Sequence, residues 1–191
     1  MINSKVYSLP VLMSGNAFAG KLETGQTTFN CRYKPASAEV SNGQLVLTGT
    51  MTLIGRDRRS RVESNVRATL SAIQGAINGS VLPPAEYAAR VNASPEQAAL
   101  PLTEFTDTRG FAGVIYLRLS PLDNRRLGVA LDLSKVQMNC RLAPTSDLER
   151  ELHWLYSAIA NALLDEKKDE TSAREYAQAI TKRLSLVAPV S

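Results

Sequence analysis

Histidine is almost missing from this chain, with one in 191 residues, and cysteine occurs only twice. That ligand count excludes zinc ribbons, C-x-x-C redox motifs, C-x-x-C-H haem attachment and cysteine-held iron–sulfur clusters. Aromatic residues are sparse too: four Phe, six Tyr and one Trp. Stacking platforms for nucleic-acid bases therefore have little to be built from. No apolar run approaches the roughly 20 residues a membrane helix needs. Neither G-x-S-x-G, H-E-x-x-H nor a paired-carboxylate motif occurs, and phosphate-loop and dinucleotide patterns are absent. Gly49, Gly55, Gly75 and Gly79 read as strand and turn glycines, and Glu63, Glu86, Glu96 and Glu104 as solvated acids. No catalytic residue, cofactor or metal is expected.

What is present is an ordinary globular composition, 44% hydrophobic and 21% charged, with a net charge of +4. That excludes disorder as the main state. Charge is unevenly placed. Residues 1–145 carry 16 Lys/Arg and 10 Asp/Glu; residues 146–191 carry 6 and 8. A basic region is followed by a mildly acidic tail, and the pI of 9.2 suits an anionic partner. The amino terminus has the outline of a secretory signal ending in Ala17-Phe18-Ala19. The apolar stretch is short and holds Tyr7, Ser8 and Pro10, so a strand is expected there instead.

Hydrophobic period and turn residues predict an α+β chain: a mostly antiparallel β sandwich or open barrel, with a C-terminal helical hairpin packed on it. The β-rich domain is expected over 1–144 and the helical segment over 145–191. Strands are predicted at 6–12, where Pro10 suggests an edge, and at 27–33. Ser41-Asn42-Gly43-Gln44, between 38–40 and the alternating run 45–53, is the strongest hairpin signal, because Asn-Gly supplies two positive φ angles. Residues 61–73 fit either a strand or a helix; the unbroken polar alternation favours a strand. Residues 78–104 form a Pro- and Ala-rich excursion, after which strands are expected at 111–119, 126–133 and 136–141. Helices are predicted at 146–164 and 172–186, each opened by a capping box (Ser146-x-x-Glu149 and Ser172-x-x-Glu175). Leu148, Leu152, Leu155, Ile159 and Leu163 make one apolar stripe, expected to pack on the sheet.

An internal echo suggests two related β units. Asn30-Cys31-Arg32-x-x-Pro35-Ala36-Ser37 matches Asn139-Cys140-Arg141-x-x-Pro144-Thr145-Ser146, and each copy has an upstream Phe-Ala-Gly, at 18–20 and 111–113. Cys31 and Cys140 hold equivalent places. They are either a disulfide or two buried thiols, and a reducing compartment favours thiols. His153 reads as a surface or packing residue beside Trp154 rather than as a base for a catalytic thiol.

A second echo sets Asp57-Arg58-Arg59 against Asp123-Asn124-Arg125-Arg126. Arg56, Arg58, Arg59, Arg61, Arg125 and Arg126 are the candidate partner-binding residues, because guanidinium groups on loop tips pair bidentately with carboxylates and phosphates. The leading expectation is a non-catalytic interaction protein, an accessory or structural subunit of a larger protein complex with an acidic or anionic partner face. The alternative is a small-molecule or lipid carrier using a β-barrel interior. A nucleic-acid-binding module ranks third. The expected location is cytoplasmic or peripheral to a membrane complex, without secretion.

Overall fold

The structure, a computed structural model, describes residues 6–74, 114–142, 146–164 and 166–186. Seven strands follow in chain order: β1 (Tyr7–Ser14), β2 (Ala17–Thr24), β3 (Thr27–Ser41), β4 (Gln44–Ile54), β5 (Ser60–Gln74), β6 (Val114–Leu119) and β7 (Val136–Arg141). Each pairs antiparallel with the next, and β7 closes onto β1 in parallel. The sheet is thus a closed mixed barrel, neither a sandwich nor open. Two helices complete the described residues, α1 (Asp147–Leu164) and α2 (Glu170–Leu186).

A period of two drives the closure. Leu9, Val11 and Met13 on β1, Met51 and Leu53 on β4, Ile115 and Leu117 on β6, and Val136, Met138 and Cys140 on β7 are all buried, while their neighbours along each strand are more exposed. One inward belt runs in register through Leu53, Cys31, Gly20, Val11, Cys140 and Ile115. The register returns to β5 at position 73, whereas Leu53 itself pairs with Arg61. A stagger of about a dozen residues tilts the strands and widens the barrel. Gly20 belongs on this belt for a steric reason: a Cβ there would lie 2.3 Å from the carbonyl oxygen of Pro10.

The 41–44 hairpin forms as the Asn-Gly pair predicts, with φ of 52° at Asn42 and 70° at Gly43. The ambiguous 61–73 segment is a strand, within β5. Two expectations need correction. Pro10 is not on an edge strand, since β1 has a neighbour on each side. Its antiparallel ladder to β2 begins only at Val11, so at Pro10 the register pairs β1 with β7 alone. Residues 126–133 are not a strand. Leu127, Val129 and Leu133 are buried, so the apolar alternation is real, but it belongs to a 16-residue loop, 120–135, folded under the barrel. Its ends are held close to the wall by Ser120 N–H donating to the Arg67 carbonyl and Tyr7 N–H donating to the Lys135 carbonyl. The 78–104 excursion and the Phe111-Ala112-Gly113 echo lie outside the described residues.

Strand alternation sorts the connections into two ends. The β1–β2 and β3–β4 turns share one end, which the helices cover. Glu149 Oε1 accepts from Gly15 N–H at 2.6 Å, Thr181 Oγ1 accepts from Ala38 N–H at 2.9 Å, and Gly43 lies against Glu170. α1 opens as foreseen, with Ser146 Oγ accepting from Glu149 N–H at 3.2 Å. The second capping box is displaced. Asp169, not Ser172, caps α2, accepting from Ser172 N–H at 3.0 Å and Ser172 Oγ at 2.6 Å.

More of α1 is buried than its stripe. Leu152, Leu155, Ile159 and Leu163 are inside as expected, and so are Trp154, Tyr156, Ala158, Ala160 and Ala162. A helix apolar nearly all round is a core element. Here it joins the barrel interior in one cluster with α2. Tyr156 meets Phe18 of β2 at a ring separation of 5.8 Å, and Trp154 meets Tyr176 of α2 edge-on at 5.6 Å. Tyr33 pins the wall beneath them. Its hydroxyl sits 3.0 Å from the Val66 carbonyl and 3.3 Å from the Leu47 carbonyl, so its polar end is satisfied inside the core.

Candidate functional site

The end of the barrel opposite the helices carries the β4–β5 connection and the 120–135 loop. All six candidate arginines lie there, Arg56, Arg58 and Arg59 on the β4–β5 connection, Arg61 at the start of β5, and Arg125 and Arg126 on the 120–135 loop. Each loop is organised by its aspartate. Asp57 Oδ1 accepts from Arg59 N–H at 3.1 Å, and Arg58 N–H donates to the Gly55 carbonyl at 3.0 Å, which closes a turn with Arg58 at φ 59°. Asp123 Oδ1 accepts from Arg125 N–H at 3.0 Å and Arg126 N–H at 3.1 Å. That is an Asx cap, and Gly128 ends the turn at φ 66°. Val129 N–H donates to the Asn124 carbonyl and Gly128 N–H to the Arg125 carbonyl, the two bonds of a Schellman ending.

The two loops touch. Arg61 grips Asp57 with both η nitrogens, at 2.8 and 3.3 Å, and its guanidinium stands 5.9 Å from the Phe29 ring centre. The same side chain lies against Gly128 so closely that a Cβ there would meet Arg61 Nε at 2.7 Å. Glu63 Oε2 accepts from Asp123 N–H at 2.9 Å, a second tie. The hydrogen bond to Arg61 holds the Asp57 carboxyl below its ordinary range, and Asp57 in turn holds the Arg61 guanidinium above its own.

This sorts the six arginines. Arg61 is a clasp between loops. Arg56, Arg58, Arg59, Arg125 and Arg126 are exposed, and none makes an ion pair among the described residues. The rim thus presents five solvent-facing guanidinium groups on a backbone fixed by hydrogen bonds. The repeated Asp-to-Arg spacing signalled two such turns in the sequence; their meeting at one end needed the barrel.

Cys31 and Cys140 are free, buried thiols in the structure, with no bridge between them. They share the inward belt, with Gly20 of β2 and Val11 of β1 between them. Burial pushes the Cys31 thiol up to about 11 and raises Cys140 well above the usual thiol range, so neither forms a thiolate readily. The repeat copies have the same local placement, with cysteine inward and arginine outward, but different neighbours: β3 is antiparallel to both of its partners and β7 to only one. His153 is 3% exposed, and among the described residues neither ring nitrogen has a hydrogen-bond partner. Among the described residues, no group of three or more His, Cys, Asp or Glu is placed to hold a metal ion, and no helix is long and apolar enough to cross a membrane.

Comparison with known proteins finds no matching family model, no similar curated protein and no similar solved structure.

Proposed function

We propose that the protein is a non-catalytic interaction protein, an accessory or structural subunit of a larger protein assembly, and that the arginine rim is its contact with an acidic face of a neighbour. One observation carries this. Two separate loops are each folded by an aspartate, then tied together through Arg61–Gly128 and Glu63–Asp123, and five guanidinium groups are left facing solvent. Ordering costs conformational entropy, so a pre-fixed cationic rim lowers the cost of binding an anionic surface. Arginine rather than lysine at all six positions favours planar, bidentate recognition of carboxylates.

Two further features support the reading against its rivals. The barrel interior is occupied by its own side chains and by α1: Leu47, Met51, Leu53, Ile115, Leu117, Met138 and Tyr156 are each at most 2% exposed. That weighs against a carrier, which needs an internal cavity. The buried, proton-retaining thiols and the unpartnered His153 weigh against nucleophilic catalysis.

The test compares the wild-type protein with the charge-reversed rim variant Arg58→Glu/Arg59→Glu/Arg125→Glu/Arg126→Glu in nuclease-treated extract of the native source. The expected result is a defined set of proteins retained by the wild type and lost by the variant, with the native chain migrating in an assembly above its own 20.7 kDa. The reading is abandoned if the chain runs as a monomer, both forms retain the same proteins, and the purified protein turns over or tightly holds a small molecule.

A further inference from the structure

β4 and β5 separate before they reach the helix-covered end of the barrel. Their ladder stops at Val46 and Thr69, while β3 and β4 stay paired out to Ser41 and Gln44 and β5 runs on to Gln74 beside β6 alone. A bulge between Leu70 and Ala72 of β5 lies at the parting, and a bulge bends the strand that carries it. The notch left in the outer wall has a volume of about 430 Å³. Asn42 lines it from the β3–β4 turn, Arg67 and Thr69 from β5, and Arg118 and Ser120 from the far end of β6. Val46 forms its floor. It alternates with the inward Leu45 and Leu47 and so faces outward, yet it is only 4% exposed.

Charge in the notch is of one sign. Its described lining includes two arginines and no Asp or Glu. Thr69 pairs with Arg118 across β5 and β6 and stands two positions from Arg67, so the two arginines are diagonal neighbours, about 7–8 Å apart at the backbone. Like charges so placed repel. Glu39 meets Arg67 at 3.5 Å from an exposed position, and Arg118 makes no ion pair among the described residues. We infer that the notch binds a small organic phosphate, a phosphomonoester held between Arg67 and Arg118. The inference goes beyond the proposed interaction role and does not rest on it. A carboxylate has two oxygens and one charge, which a single guanidinium meets bidentately. A phosphomonoester brings three terminal oxygens and a charge of about −1.5 to −2 at neutral pH, which matches two guanidinium groups and a hydroxyl. Ser120 supplies the hydroxyl. Its Oγ accepts from the Arg67 N–H at 3.0 Å, which leaves its own hydrogen to donate and holds it beside the strand that carries Arg67. The volume lies within the roughly 300–1,000 Å³ usual for small-molecule sites, and Val46 offers apolar contact, so the ligand carries an organic body and is not bare phosphate.

The experiment titrates the full chain with phenyl phosphate by calorimetry in a phosphate-free buffer. One saturable site is expected, at least tenfold tighter than for benzoate or for inorganic phosphate. Arg67→Gln and Arg118→Gln should each weaken binding at least tenfold, with circular dichroism confirming that each variant is folded. Glu39→Gln should tighten it at least twofold, because the substitution frees Arg67 from a competing carboxylate. Arg58→Glu/Arg59→Glu should leave it unchanged, which separates the notch from the rim. Absence of saturable binding overturns the inference. So does benzoate or inorganic phosphate binding as tightly as phenyl phosphate, or undiminished binding in both arginine variants. Loss in the rim variant alone places the phosphate on the rim and overturns it as well. Tighter binding to phosphatidic acid vesicles, weakened by the same two arginine variants, assigns the phosphate to a lipid headgroup and overturns the small-molecule ligand.

Discussion

Acid should weaken this protein in large part through one side chain, His153. An imidazole in an unfolded chain titrates near 6.5; burial in α1 lowers that of His153 to about 4, because the apolar surroundings disfavour the charged ring. Between those values the unfolded chain takes up a proton that the folded chain refuses, so stability falls as pH drops below about 6.5 and levels off below about 4. A difference of about 2.5 pH units at about 1.4 kcal/mol each makes the full loss roughly 3 kcal/mol, of which roughly 2 is gone by pH 5. Against a total stability of about 5–15 kcal/mol, that is a large fraction. His153→Leu removes the titration and also two buried nitrogens that lack partners. The variant should be at least as stable as the wild type at pH 7.5, and more stable by roughly 2 kcal/mol at pH 5. Urea unfolding followed by the fluorescence of Trp154, the sole tryptophan, measures both. Asp57, Asp132 and Asp169, held below their ordinary range by hydrogen bonds, titrate in both proteins and cancel in the comparison. Parallel pH dependences for the two proteins would refute the reasoning, because they would mean that His153 meets its proton as readily in the fold as outside it.

Three other outcomes follow from the packing. Leu152→Asp with Leu155→Asp places two carboxylates where the wild type is 1% and 0% exposed, and should abolish the helical and fluorescence signatures of the fold; a folded double variant that loses a partner would make this face an interface instead. Cys31 and Cys140 should resist a thiol reagent such as dithionitrobenzoate in native buffer and both react in 6 M guanidinium; rapid native labelling of either would contradict its burial. Gly128→Ala combines a strained φ of 66° with a clash against Arg61 and should cost about 1–2 kcal/mol. In a double-mutant cycle with Arg61→Ala the two losses should not add, and strict additivity would mean that the loops do not touch.

Much of the architecture could be read locally, because its signals are local. Asn42-Gly43 carries its turn in two residues, Ser146 and Glu149 mark the start of α1, and the alternation through Val66, Ala68 and Leu70 marks β5 as a strand, although the expected unbroken alternation fails at a bulge beside Asn65 (φ 58°) that turns Val62 to the outside. The burial of α1 on nearly all sides was not legible. Ala158, Ala160 and Ala162 are compatible with an exposed or a buried face, and only the wide barrel beside them settles which. The arginines were legible as loop residues, through the two Asp-to-Arg spacings, but not as one rim. Their union depends on both loops turning at the same end, and the 78–104 excursion between β5 and β6 hides that from a reading of strand order.

Loop 120–135 explains the remaining difference, and the cause is parity. Leu127, Val129 and Leu133 are buried and Leu131 is half-buried, so the run alternates in sequence as a strand would although it is a loop. Reading that run as a strand adds one reversal of direction before Val136. In an up-and-down barrel an even number of strands brings the last one back antiparallel to the first; an odd number brings it back parallel. Added to the seven observed strands, an eighth there would reverse the sense of closure; the predicted strands also include none at 17–24, where β2 lies, and split β3 into two runs. With the run assigned to a loop, seven strands remain, and β7 must meet β1 running the same way, as the pairing of Tyr7 with Val136 through Leu12 with Arg141 records. The turn at Asp123–Gly128 is what removes the strand: its carboxylate cap and left-handed glycine reverse the chain within six residues, too tightly for a ladder to form beside it. The same turn that presents Arg125 and Arg126 on the rim thereby sets the direction in which the barrel closes.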